Sequence, residues 1–464
     1  MKRNTEIELK LLISKSDLKK MLALDFVSAA IRPDSCRKRR LVSSYYDTPD
    51  GAFRNNGIAY RVRSKGDRTY EATVKTTLQN GAGLSERIEL NLPLPSTRPV
   101  LDGFGELGLS VELSELAPDG VVKLFTVNVQ RVTYLLDWED AVIELAIDHG
   151  KITAADVDDK IDEIELEIKE GEVAALWSLA AKLADATPLF VEPRSKFARG
   201  LALRGIETER SSAKNKIGAG TALAELQQCA QQCGDELLKL QNIFREKVDD
   251  ADLKEGRRQL AALRALLAVA SGVTGADAPE AERVREIAAA VANVSDAREL
   301  QLLWQKLYAQ GRPYLGRGAL TKKLGAVVVA AEENLQALAQ RGALTAAVFA
   351  ANALLYGAKP LDGEQTGADA LRACVKSWQQ TAADAEPQGR GEAVANICAA
   401  ARLADGKFFT KAAANVKKLR RQLAKQETLR QWRQILEACC ADSTSKLVYR
   451  DAGVVLGYLL AKEK

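Results

Sequence analysis

The chain has 464 residues, more than one hydrophobic core usually organises, so two or three domains are expected. Apolar residues make up 47% and charged residues 28%, which excludes disordered and fibrous classes, and no apolar run approaches the roughly 18 residues of a membrane span. A single histidine excludes sites built from histidine clusters, and the net charge of +4 conceals an acidic residues 1–215 (−3) and a basic 216–464 (+7).

Met1-Lys2-Arg3-Asn4 leads straight into Thr5-Glu6-Ile7-Glu8-Leu9-Lys10 without the apolar stretch of a secretory signal, so a cytoplasmic protein is expected. Side chains alternate faces in a strand, which puts Glu6, Glu8 and Lys10 on one side and Ile7, Leu9 and Leu11 on the other. A short helix is expected from Ser16 to Ala23, and Cys36-Arg37-Lys38-Arg39-Arg40 reads as a basic loop. Tyr60-Arg61-Val62-Arg63 and Glu71-Ala72-Thr73-Val74-Lys75 form a hairpin. Arg61, Arg63, Thr73 and Lys75 share its face only if the loop is odd in length, as a Gly66-Asp67-Arg68 turn makes it.

Arg87-Ile88-Glu89 repeats the charged alternation, and turns at Pro49-Asp50-Gly51, Asn80-Gly81 and Pro118-Asp119-Gly120 punctuate an antiparallel sheet. Leu113 to Ala117 is a short helix. Glu144-Leu145-Ala146-Ile147-Asp148 is another strand, with His149 read as a turn residue at its end, on the face opposite Asp148. Glu163, Glu165 and Glu167 then alternate with Ile164, Leu166 and Ile168, followed by a helix over Glu172 to Asp185.

One such strand would be an ordinary amphipathic edge in water. Strand after strand with charge on one side fits a closed antiparallel β-barrel, or tunnel, whose charged faces meet around a polar lumen while the apolar faces pack outward on helices. Two acidic strands in one lumen need cations between them. The expected fold is α+β: this barrel with peripheral helices over residues 1–205, a polar, glycine-bearing linker at 206–220, and an all-α helical bundle over 221–464.

In the last part Ala, Leu, Gln and Arg dominate, and proline falls near breaks, one of which, near 357–368, could divide the helices into two bundles. Lys254, Arg257, Arg258 and Arg264 cluster on one helix. Lys407, Lys411, Lys418, Arg421 and Lys425 step by 4, 7, 3 and 4 and form a stripe about 27 Å long at 1.5 Å per residue. Six of the seven cysteines lie in this part, Cys229 and Cys233 on one helix face without further metal ligands nearby, so reduced thiols are expected rather than a zinc site. No P-loop and no Gly-x-Gly-x-x-Gly is visible.

Glu6-x-Glu8-x-Lys10, Tyr45-Tyr46-Asp47-Thr48-Pro49-Asp50, Arg61/Arg63, Lys75, Arg87/Glu89, Arg131, the Glu144 to Asp148 strand, Glu165/Glu167 and Ser195-Lys196-Phe197-Ala198-Arg199-Gly200 fall in one order over most of residues 1–205. In this order the sequence resembles the CYTH, or triphosphate tunnel metalloenzyme, superfamily, and with its helical remainder it looks like the bacterial inorganic triphosphatases that fuse CYTH to CHAD. The resemblance implies Glu6, Glu8, Asp148, Glu165 and Glu167 as ligands of Mg²⁺ or Mn²⁺. It implies Lys10, Arg61, Arg63, Lys75, Arg87, Arg131, Lys196 and Arg199 as the grip on inorganic triphosphate.

On the same basis Lys75 neutralises the departing pyrophosphate, Glu89 orients a second ion or the attacking water, and Glu167 joins them as a catalytic residue. A nucleoside or thiamine triphosphatase, a class IV adenylate cyclase and a noncatalytic polyphosphate-binding module are the alternatives. No membrane or nucleic-acid partner is expected. The CHAD-like part departs from that family in lacking histidine, so lysine and arginine would have to attract any polyphosphate.

Overall fold

Charged and apolar residues alternate in the first unit because its strands close on themselves. In this computed structural model, which describes residues 5–207, 216–311, 318–360 and 365–463, the chain divides into two compact units, Met1–Lys214 and Asn215–Lys464. The expected linker at 206–220 and the expected break at 357–368 lie partly outside the described residues.

The first unit holds β1 (Thr5–Leu12), β2 (Arg37–Asp47), β3 (Ile58–Ser64), β4 (Tyr70–Gly81), β5 (Leu84–Leu94), β6 (Val122–Trp138), β7 (Ala141–Ala154), β8 (Val157–Glu170) and the two-residue β9 (Phe190–Val191). They pair antiparallel in the order β5-β4-β3-β2-β6-β7-β8-β1-β9, and a further β5–β1 pairing closes eight of them into a ring. Closure falls on β1, whose Glu6 opposes Arg87 of β5 while its Glu8 opposes Glu167 and its Lys10 opposes Glu165 of β8. The β3–β4 turn has Gly66, Asp67 and Arg68 between Lys65 and Thr69, so Arg61 pairs with Thr73 and the basic residues of both strands share the inner face.

Helices α1 (Lys15–Leu22), α2 (Asp25–Ala30), α3 (Ala52–Asn55), α4 (Leu113–Leu116), α5 (Val173–Ala186) and α6 (Lys196–Leu203) accompany the ring. Outward apolar residues pack as expected: Tyr60, fully buried, meets Phe53 and Phe104 edge-on at 6.0 Å, in a cluster that takes in Val62, Val74 and Leu90. Asp47 explains its motif by accepting from the Thr48 and Phe53 amides and from Arg54, which caps α3.

The inner face, expected to be polar throughout, is polar at one end only. At the other, Leu41, Phe125, Val127, Val129, Ile152 and Ile161 pack with Leu201 and Phe197 of α6, which fills that end. Ser195 caps α6, accepting from the Ala198 amide at 3.0 Å. Gly200 then lies against Phe125 so closely that a Cβ would stand 2.3 Å from the ring. His149 is not the expected turn residue. It sits mid-strand in β7, because the chain continues through Gly150, where a Cβ would come within 2.0 Å of the Asn128 carbonyl.

The second unit contains α7 (Ala222–Phe244), α8 (Asp250–Thr274), α9 (Glu280–Gly311), α10 (Ala319–Gln340), α11 (Ala343–Gly357), α12 (Gly367–Asp384), α13 (Pro387–Leu403), α14 (Lys407–Asn415), α15 (Lys417–Ala441) and α16 (Lys446–Glu463). After the 357–368 region, α12 packs back onto α7 and α8, α13 onto α8, α15 onto α9 and α16 onto α10. Apolar α11 is buried against α7, with Gln241 donating to Thr345 at 2.7 Å. No single helix among the described residues is long and apolar enough to cross a membrane. The cysteines are free thiols, and burial pushes Cys229 and Cys233 up to about 12. The expected basic stripe is broken at Val416, which separates α14 from α15.

Candidate active site

The polar end of the ring encloses a cavity of about 700 Å³. Its walls follow the strand alternation: Glu6, Glu8 and Lys10 from β1, Arg61 and Arg63 from β3, Lys75 from β4, Arg87 and Glu89 from β5, Arg131 from β6, Glu165 and Glu167 from β8, and Lys196 from α6. Twelve of the fourteen residues singled out in the sequence therefore face one space. The other two, Asp148 and Arg199, are not among the lining residues. Asp148 is 2% exposed, behind Arg131 and Lys196, and Arg199 is 4% exposed, bound to Asp159, Glu163 and the Lys160 carbonyl. Arg199 thus ties α6 to β8 in this structure.

Charge organises the cavity into three groups. In the first, Lys75 Nζ lies 2.5 Å from Glu6 and 2.6 Å from Glu89, with Arg61 3.6 Å from Glu89. Burial would raise Glu89, but Lys75 and Arg61 overcome it and hold the carboxyl below its usual range. Glu6 goes the other way: burial, then the charges of Glu8, Glu89 and Glu167, push it up to about 7 against the pull of Lys75.

In the second group, Glu8 meets Arg87 at 3.2 Å and Glu167 meets Lys169 at 2.6 Å. Burial raises Glu167 above its usual range, with Glu144 and Glu8 adding to it. In the third, Arg131 forks onto Asp148 (2.7 and 2.6 Å) and reaches Glu165 at 2.5 Å, while Lys196 touches Asp148, Glu163 and Glu165. Burial opposes the charged forms of Glu165 and Asp148, but Lys196 and Arg131 prevail and hold both below the usual carboxylate range.

Arg63 stands apart. Its Nε donates to Ser43 at 2.9 Å, and among the described residues no carboxylate lies at ion-pair distance. Burial, then the positive charges of Arg61 and Arg131, lower it to about 10. An anion entering the cavity would relieve both penalties.

Several side chains at or beside the cavity were given no role in the sequence reading. Glu163 and Lys169 share the parity of Glu165 and Glu167, so alternation alone could have found them. Tyr45 lines the cavity and stacks on Phe125 at 4.8 Å, which strand parity signals only once β2 is placed beside β6. His149 points away from the cavity and pairs with Asp162 on the outer face.

Comparison with known proteins agrees with this geometry. Residues 4–201 match the CYTH domain family. The chain also aligns with a Haemophilus influenzae protein named inorganic triphosphatase, 29% identical over 163 residues. That alignment covers 35% of this chain and 46% of the relative, so the chain spans about half the length of the curated protein it matches. Among solved structures, a Hippeastrum protein, HpAC1, described as an adenylyl cyclase candidate with a dominant triphosphatase activity, is 21% identical; the match covers 44% of this chain and 97% of that one, with a TM-score of 0.32. The CHAD domain from Ricinus communis is 16% identical over 55% of this chain and 91% of its own, with a TM-score of 0.40.

Proposed function

We propose that the CYTH unit is a metal-dependent triphosphatase that hydrolyses inorganic triphosphate to pyrophosphate and phosphate. The observation that carries this reading is the placement of Glu6, Glu8 and Glu167 with Lys10, Arg61, Arg63, Lys75 and Arg87 around one cavity. Carboxylates alone would repel a polyphosphate, and cations alone would bind it without a reason for the acids. The name of the Haemophilus relative points the same way for the part it shares.

The donor set is carboxylate oxygen, which fits a hard divalent ion such as Mg²⁺ or Mn²⁺ better than a softer metal. Glu6, Glu8 and Glu167 would hold it, each giving up one ion pair, with Lys75, Arg87 and Lys169, whereas Asp148 and Glu165 are each held by two cations, Arg131 and Lys196. Bound there, the ion would offset the charge of the incoming anion and make water more acidic.

The protein's own groups do the rest. Arg61 and Arg63 offer guanidinium forks to terminal phosphate oxygens, with Lys10 and Arg87 from the facing strands. Glu89, held ionised by Lys75 and bonded by Asn91 at 3.0 Å, is a weak base and acts by orienting the attacking water. Lys75 stays protonated, its ammonium raised by Glu6 and Glu89 against burial, and it stabilises the departing pyrophosphate.

Phosphate release from tripolyphosphate, ATP, thiamine triphosphate and long polyphosphate, each with Mg²⁺ or Mn²⁺, tests this reading. Tripolyphosphate is expected to lead in kcat/KM by about tenfold or more, roughly 1.4 kcal/mol of transition-state preference. A preference for ATP with a cyclic product would overturn it. In the second unit, Lys417, Lys418, Arg421 and Lys425 line a shallow groove, and polyphosphate attraction there predicts binding that weakens steeply with salt and is lost in Lys418→Glu/Arg421→Glu.

A further inference from the structure

Lys196 projects from the first turn of α6 toward the acidic strands β7 and β8. Its Nζ lies 2.7 Å from Asp148, 2.5 Å from Glu163 and 2.7 Å from Glu165. Those three carboxylates have oxygens within 4.8 Å of one another, a spacing that suits a metal ion. An ammonium group already stands among them.

The local charges balance without metal. The three carboxylates and Asp159 meet four cations: Lys196, Arg131 at 2.6 Å from Asp148 and 2.5 Å from Glu165, Arg199 at 3.0 Å from Glu163 and 2.8 Å from Asp159, and Lys10 opposite Glu165 on β1. A divalent ion added to this set would leave two positive charges uncompensated where Asp148 and Glu163 are almost completely buried. Glu163 Oε1 forms no hydrogen bond of good geometry, so its approach to Lys196 is a bare ionic contact of the kind a metal ion would make.

The lysine is also held in place. Ser195 caps the turn that carries it, Arg199 pins the next turn to Asp159 and Glu163, and the close fit of Gly200 on Phe125 leaves α6 little freedom to shift. Such tethering removes the entropic cost that a free cation meets on binding.

We infer that Lys196 is a built-in cation that occupies one of two cation positions on the acidic strands, leaving the Glu6, Glu8 and Glu167 position for an exchangeable ion. It is a positioning residue for the Asp148, Glu163 and Glu165 triad. The inference concerns how many ions bind and does not depend on the substrate.

Counting Mn²⁺ bound to the substrate-free full chain, by the paramagnetic resonance signal of the free ion and by calorimetry, tests it directly. Lys196→Met, confirmed folded by circular dichroism, is expected to bind one more Mn²⁺ per chain than the wild type, and an equal count would overturn the inference. Glu163→Gln gives an independent check in a protein that keeps the lysine. It is expected to bind the wild-type number, whereas loss of one ion would show that the triad holds metal and Lys196 does not replace it.

Discussion

Glu8 and Glu167 lie directly opposite each other across the β1–β8 ladder, and both face the cavity. Like charges opposed on one face of a sheet destabilise it by about 0.2–1 kcal/mol. That penalty is accepted where a cation can come between the pair. In metal-free protein Glu167→Gln should therefore melt at or above the wild-type temperature, while added Mn²⁺ should raise the wild type and leave the variant nearly unmoved. A ligand at a hundred times its Kd contributes about 2.7 kcal/mol, so a thermal-shift titration resolves the difference. An equal Mn²⁺ shift in both proteins would remove Glu167 from the ligand set.

The position of Glu6 makes metal binding sensitive to pH. With its carboxyl pushed up to about 7, a proton must leave before an ion can enter. Affinity for Mn²⁺ should fall by up to about tenfold per pH unit below that value and level off above it. The folded-state value lies above the ordinary glutamate value of 4.5, so the contribution of this group to metal-free stability is present below 4.5 and is lost as pH rises through about 7. Metal-free Glu6→Gln should then gain stability over the wild type on the alkaline side and lose that advantage in acid, as denaturant melts at several pH values would show.

Much of this arrangement was legible in the sequence because strand parity is a strict rule. Glu6, Glu8 and Lys10 could only share a face, and the odd-length turn at Gly66 to Arg68 put Arg61 and Lys75 together before any coordinates existed. Parity says nothing about what fills the interior. Val127 and Val129 share the parity of Arg131, and Ile152 that of Asp148, so they face inward, but parity does not reveal that α6, reached some 45 to 70 residues later in the chain, packs on them and fills that end.

The same limit hid the link between Glu163 and Lys196, whose side chains come from separate elements. The break at Val416 carries neither glycine nor proline, so helical periodicity ran straight through it. The turn expected at His149 is absent, since β7 runs on through Gly150, which marks a close backbone approach.

Filling of the ring by α6 gives a stability prediction. Any side chain at Gly200 must push against Phe125, which is itself stacked on Tyr45 at 4.8 Å, so neither ring can move freely. Gly200→Val should cost about 1–3 kcal/mol or more in unfolding free energy. Because α6 carries Lys196, the variant should also lose activity disproportionately to its residual folded fraction. Urea melts beside specific activity of the folded fraction would check both, and a wild-type melting curve would show that α6 does not seal that end.

Arg63 offers the sharpest test of substrate contact. Its guanidinium is half-buried and positive beside Arg61 and Arg131, with Ser43 as its hydrogen-bond partner, so it depresses stability unless an anion arrives. Removing it should cost binding rather than folding. Hydrogen bonds to charged groups contribute about 1.5–3 kcal/mol, so Arg63→Ala is expected to lower kcat/KM for tripolyphosphate by roughly ten- to a hundredfold. The melting temperature should stay level or rise, since a half-buried unpaired charge has gone. Arg63→Lys should recover part of the rate but not all, because a single ammonium cannot fork across two phosphate oxygens. Unchanged kinetics in Arg63→Ala would place the substrate elsewhere in the cavity, away from the β3 wall.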